Sequence, residues 1–328
     1  MGTTPTDPEE EASVLTGLGA GAAQVIRQCL NVQAHEQVLI VADTSRDTIG
    51  VALFEAASEV GGDPVLVLMN PRPRPHAEPP PHLARMMQES DVILLATEKS
   101  MTHALARRDA TASGARVVSL PGVTEDMLSE GALTADFLEI HQLMRKLERR
   151  VRPARSLHVS SGAGTDLTLQ VRGRSWITED TGYCRRARQV ATLPAGELFV
   201  VPVEGSAEGR LVVDVAFHEP LGTAASLLLK EGIASKVVGA TAAVFEMNKG
   251  GKEGRVLGKF GVGLNPKARL GGLPLEAEKA LGSANFSFGD NIAFGGRNRC
   301  GTRVQALIRE PTVELDGKVL LERGKLAL

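Results

Sequence analysis

The side chains best suited to nucleophilic, acid–base or metal chemistry in this chain are seven histidines, His35, His76, His82, His103, His141, His158 and His218, and three cysteines, Cys29, Cys184 and Cys300. No two histidines stand at the spacing that puts a metal-binding pair on one helix face, and His76 and His82 fall in a proline-rich stretch where exposure is the default. Cys184 or Cys300 with His218 is a candidate nucleophile–base pair, set against the commoner state of cysteine as a small buried apolar residue. Gly17-Leu18-Gly19-Ala20-Gly21 has no strand before it and no complete dinucleotide fingerprint after it. Gly250-Gly251-Lys252-Glu253-Gly254 lacks the phosphate-loop spacing and reads as a flexible loop.

The scaffold that must position such groups is large. With 328 residues, 43% apolar and 23% charged, the chain can bury one core or two, and disorder is excluded. Its 37 basic and 39 acidic side chains nearly cancel, so nothing global attracts nucleic acid or anionic lipid. Aromatic residues are only 3% of the chain, with one tryptophan, Trp176, and one tyrosine, Tyr183, which argues against a base-stacking platform. Three widely spaced cysteines match no disulfide framework and point to a reducing compartment. The acidic opening, with Asp7, Glu9, Glu10 and Glu11, is no signal peptide, no apolar run reaches membrane-spanning length, and the expected location is the cytoplasm. Residues 1–6 fit a myristoylation pattern too short to carry weight.

After a helical opening, continuous apolar runs at 38–42, 65–69, 91–96 and 116–120 alternate with helical stretches, the pattern of a parallel sheet covered on both faces. The prolines at 71, 73, 75, 79, 80 and 81 place a surface loop after the second strand. Phe137, Ile140, Met144 and Leu147 recur at helical spacing and run into a basic helix end and linker, with the domain boundary at Pro153. Beyond it, short runs at 166–171, 198–203, 210–215, 237–244 and 304–309 with glycine-rich connections predict a mixed, largely antiparallel β domain with helices. Asp316-Gly317 marks a hairpin within 312–321. The expectation is α/β: an N-terminal parallel-sheet domain over 1–153 and a second domain over 154–328.

Three long segments are more specific: 192–209 around Pro194-Ala195-Gly196-Glu197, 258–270 around Gly261-Val262-Gly263-Leu264-Asn265-Pro266, and 276–282 followed by Phe288-Gly289-Asp290-Asn291. Together they resemble the aminopeptidase T family of metallo-aminopeptidases over nearly the whole chain, with similar stretches at 101–108 and 120–124. The resemblance implies an N-terminal α/β domain and a C-terminal catalytic domain, and two divalent ions held by two glutamates, two histidines and an aspartate to activate a water. Glu197 matches the first glutamate. The other four positions hold Lys259, Asn285, and Arg303 and Gln305 of Arg303-Val304-Gln305, and no histidine lies beyond His218. A unit charge 4 Å from another contributes ~4 kcal/mol at an effective dielectric near 20, so a divalent ion beside Lys259 meets roughly twice that repulsion. Ring-cleaving dioxygenases that act on dihydroxypyridines resemble the same fold and hold one iron with two histidines and an aspartate in this region; those ligands are absent as well.

Two accounts of this corner stand side by side. In one, Glu197 pairs with Lys259 or Arg303 and fills the former metal space. In the other, Glu197, Lys259, Asn285, Arg303 and Gln305 bind a carboxylate or peptide amide. The resulting expectation is a non-enzymatic, cofactor-free aminopeptidase homologue, a homodimer that binds a peptide in its former cleft, suited to a peptide-modifying or natural-product pathway. The alternatives are a surviving metallo-aminopeptidase with zinc, cobalt or manganese, a hydrolase rebuilt around Glu197 and a cysteine, and a structural subunit paired with an active relative.

Overall fold

The structure, a computed structural model, describes residues 17–327. The acidic opening and the pattern at residues 1–6 lie outside the described residues. The chain divides into two compact units, one running to His141 and taking in Asp180–Ala195, the other comprising Gln142–Glu179 and everything from Gly196 onward.

In the first unit β1 (Gln37–Asp43), β2 (Asp63–Met69), β3 (Val92–Ala96) and β4 (Arg116–Ser119) form a parallel sheet in the order β2-β1-β3-β4. The runs of β1, β3 and β4 are continuously apolar because both faces are covered, Val38, Ile40, Val92 and Leu94 entering one core and Leu39, Val41, Ile93 and Leu95 another, while edge strand β2 leaves Val65 and Leu68 exposed. Helices Asp47–Glu59, Pro81–Glu89 and Leu105–Ser113 follow β1, β2 and β3. The proline stretch is irregular and mainly exposed until Pro81 opens a helix. A fifth parallel strand, Val190–Thr192, adds to β4 from far along the sequence.

The second unit contains an eight-stranded and a seven-stranded antiparallel sheet sharing one core. Leu157, Val159, Leu167, Leu169 and Leu211 enter it from the first sheet, and Leu198, Val200, Phe260, Phe286 and Val304 from the second. The hairpin forms with Asp316 at φ 48° and Gly317 at φ 78°, the two positive values that its tight turn requires. One expected strand differs. The run at 237–244 divides into the end of strand Ile233–Val238 and the start of helix Thr241–Lys249, because Gly239 and Ala240, both at positive φ, turn the chain between them. The α/β class, a parallel-sheet unit with a largely antiparallel β unit, is the class the sequence led us to expect.

Candidate functional site

Side chains alternate across a strand, so core residues fix what the opposite face carries. In the seven-stranded sheet, Leu198 and Val200 turn inward, leaving Glu197 and Phe199 on the other face. By the same rule Phe260 and Val262 leave Lys259, Gly261 and Gly263, Phe286 and Phe288 leave Asn285 and Ser287, and Val304 and Ala306 leave Arg303 and Gln305. The register sets Glu197 opposite Gly263, Asn285 opposite Gly261, and Ser287 between Lys259 and Gln305. All five residues singled out from the sequence therefore share one sheet face.

Segment 265–281 folds back along this sheet. The Asn265 amide donates to the Lys279 carbonyl at 2.8 Å, and the Leu281 amide to the Asn265 carbonyl at 3.0 Å. A Cβ at position 263 would stand 2.1 Å from the Ala280 carbonyl oxygen, so only glycine admits the segment this close. Its arrival brings two charges that sequence reasoning missed, Glu278 and Lys279.

Four charges now close a ring. Lys259 Nζ lies 2.6 Å from Glu197 Oε1 and 3.2 Å from Glu278 Oε2, and Lys279 Nζ lies 2.8 Å from Glu197 Oε2 and 3.0 Å from Glu278 Oε1. All four side chains are at most 7% exposed. Burial pushes the Glu278 carboxyl up, but the Lys259 and Lys279 ammonium groups outweigh burial and hold it at about 2. Gln305 Nε2 donates to Glu278 Oε2 at 2.5 Å, and Asn285 Nδ2 to the Glu278 carbonyl at 3.2 Å. Gly261 is the floor: a Cβ there would lie 2.3 Å from Glu197 Oε1. Asn285 Oδ1 and Ser287 Oγ are buried without a hydrogen-bond partner among the described residues.

The ion pair expected of Glu197 with Lys259 is present, the alternative with Arg303 is not. Arg303 is exposed, with its guanidinium carbon 5.0 Å from the Phe294 ring centroid. Lys259 Nζ stands 4.9 Å from the Phe199 centroid and 5.5 Å from that of Phe294, and the two phenyl rings meet edge to face at 5.3 Å. Beside them lies a cavity of about 510 Å³, lined by Arg174, Ser175, Ile177, Phe199 and Phe294 among others. Among the described residues the hydrogen bonding of Cys300 is to Thr302, not to His218. Burial pushes the Cys184 thiol up to about 11, Cys300 Sγ donates to the Thr302 carbonyl, and His218 is exposed.

This donor set does not fit an iron ion. Ligands must offer free lone pairs to a metal, whereas every carboxylate oxygen of Glu197 and Glu278 faces an ammonium group. Among the described residues no three of His, Cys, Asp and Glu converge as a metal site.

A five-stranded parallel α/β unit and an antiparallel two-sheet unit make a fold similar to that of two solved structures. The 2,5-dihydroxypyridine dioxygenase of Pseudomonas putida KT2440 has a TM-score of 0.75 at 21% identity, covering 98% of both chains. Wild-type AmpT of Thermus thermophilus has a TM-score of 0.66 at 17% identity, covering 95% of this chain and 99% of that one. The chain belongs to the family described as NicX: 2,5-dihydroxypyridine 5,6-dioxygenase, whose sequence profile matches residues 20–328. A curated 2,5-dihydroxypyridine 5,6-dioxygenase of Pseudomonas putida is 29% identical over 195 residues, 54% of this chain, and the match spans about half of that relative, 55%.

These findings correct the expected function. The aminopeptidase T resemblance holds for the fold, while the family is one of dioxygenases, which overturns the non-enzymatic peptide-binding homologue and the aminopeptidase alternative alike. The cofactor-free expectation falls with it, since dioxygenases of this family are iron-dependent; the side chains of the charged ring nevertheless do not supply that ion's ligands. No helix among the described residues is long and apolar enough to cross a membrane.

Proposed function

We propose that this chain is an enzyme acting on a small hydroxylated aromatic ring of the dihydroxypyridine type, within the ring-opening class of its family. The observation that carries this reading is the family match from residue 20 to 328. The cavity supports it: a planar ring set against Phe199, with the Phe294 edge beside it, gains the apolar and offset contacts that such rings favour. The Lys259 ammonium stands against both phenyl rings, 4.9 Å from the Phe199 centroid and 5.5 Å from that of Phe294. Glu197 and Glu278 keep that ammonium in place, and Gln305 and Asn285 orient Glu278.

The test follows ring absorbance and dissolved oxygen together, with 2,5-dihydroxypyridine as substrate and ferrous ion either supplied or chelated. Ring loss with oxygen uptake, weakened at least tenfold by Phe199→Ala, is the expected result. An unchanged ring in both conditions overturns the reading.

A further inference from the structure

We propose that the ring accepted at this cavity carries a carboxylate and that Arg303 binds it. The inference rests on the reading of a hydroxylated-ring enzyme and narrows its substrate to a ring acid. Its ground is the charge arrangement of one sheet face. Glu197 and Glu278 are matched one for one by Lys259 and Lys279, and Gln305 and Asn285 are neutral. Arg309, on the same face by the same alternation, faces Asp214 at 3.4 Å, which leaves Arg303 as the cation of this strand without an ion pair among the described residues. Its side chain makes neither ion pair nor hydrogen bond among the described residues, and its contact is the stacked one with Phe294.

Phe294 is shared between the two. It ends the short 3₁₀ turn Ile292–Phe294, lines the cavity, and carries the guanidinium 5.0 Å from its ring centroid. The cation on the cavity wall itself, Arg174, is spent on Glu204. A neutral ring thus has no group to offer the uncommitted Arg303 charge. A ring bearing a carboxylate finds a planar guanidinium fork, which suits a carboxylate bidentately and is pre-oriented by stacking on an aromatic face.

Calorimetric titration of the full chain with two probes tests this: 2,5-dihydroxypyridine, and its derivative with one carboxylate on the carbon beside the ring nitrogen. The carboxylated ring is expected to bind at least tenfold more tightly than its parent. Arg303→Gln, a change at an exposed site, should bring the two within about twofold, while Arg297→Gln, an exposed change on the loop that precedes the Arg303 strand, should preserve the preference. Equal affinities in the natural chain, or a preference that survives Arg303→Gln, overturns the proposal. Turnover separates it from the reading beneath. Arg303-dependent binding of the ring acid without ring loss would remove the ring-opening reading and sustain this inference; ring loss from 2,5-dihydroxypyridine without any carboxylate preference would do the reverse. Binding of neither ring overturns both.

Discussion

In the parallel-sheet unit, Arg116 at the start of β4 meets Glu36 through two hydrogen bonds of 2.7 and 2.6 Å, and its Nε donates to the Leu30 carbonyl at 3.1 Å. In the antiparallel unit, Glu197, Lys259, Glu278 and Lys279 close a ring of four charges. The first arrangement leaves Glu36 23% exposed, so water shares the work of solvating it, whereas the second excludes water from every member. A two-membered tie can lose one side and rehydrate the other. A sealed ring cannot, because each charge depends on two neighbours. The neighbourhoods differ as well: orphaned polar atoms, Asn285 Oδ1 and Ser287 Oγ, stand on the sheet face of the ring. Charge burial of the first kind fastens a strand, while the second kind holds an ammonium group at a defined place behind an aromatic wall.

Two chromophores let the regions be followed separately. The single tryptophan, Trp176, lies on the strand paired with that of Glu197, and the single tyrosine, Tyr183, lies in the first unit. Lys259→Met should produce the largest effect, destabilising the tryptophan-reported transition by about 3–5 kcal/mol in denaturant, since two buried carboxylates would share one ammonium group. Glu197→Gln combined with Lys259→Met should cost less than the sum of the single changes, as one matched pair, Glu278 with Lys279, survives. Additive losses would mean that the four charges do not act as a ring.

Acid should sharpen the contrast. Glu278 is held at about 2 in the folded chain, below the ordinary glutamate value of 4.5. A depressed carboxyl stabilises the fold above its unfolded value and loses that stabilisation as pH falls toward the folded one. On the order of 3 kcal/mol should therefore be present at neutral pH and drain away between about 4.5 and 2. Lys259→Met should flatten that slope in the tryptophan signal. An unchanged slope in the variant would remove Lys259 as a cause of the depressed value.

How much of this could be read from residues alone follows the same divide. The parallel strands are legible because a sheet covered on both faces demands unbroken apolar runs such as Val38–Ala42, and the Asp316-Gly317 turn because its backbone excludes most other residues. Val190–Thr192 is too short to announce a strand, and Val237, Val238, Thr241 and Val244 imitate one across a turn. At the site, Glu197, Lys259, Asn285 and Gln305 are legible from their framework. Glu278 and Lys279 are not, because they arrive by a fold-back that depends on a missing side chain at Gly263. Charge balance gives no signal for them either: Lys259 already offsets Glu197, Arg303 is exposed, and Glu278 and Lys279 arrive as a matched pair.

The smallest effect belongs to the simpler tie. Arg116→Met removes a guanidinium with 8% side-chain exposure, but the carboxylate left behind already reaches solvent. Burial pushes Glu36 up while Arg116 and the Gln33 amide hold it below the ordinary glutamate range, so loss of the guanidinium should raise it toward that range and leave it ionised at neutral pH. What is lost is chiefly the charge-assisted hydrogen bonding, about 1–2 kcal/mol, read in the near-ultraviolet tyrosine signal because Val190–Thr192, in the same unit as Tyr183, pairs with β4. The tryptophan-reported acid slope should stay as in the natural chain, since Glu278 keeps both its ammonium partners. A loss as large as that of Lys259→Met would show that water does not replace the guanidinium, and the distinction between a solvated tie and a sealed ring would fail.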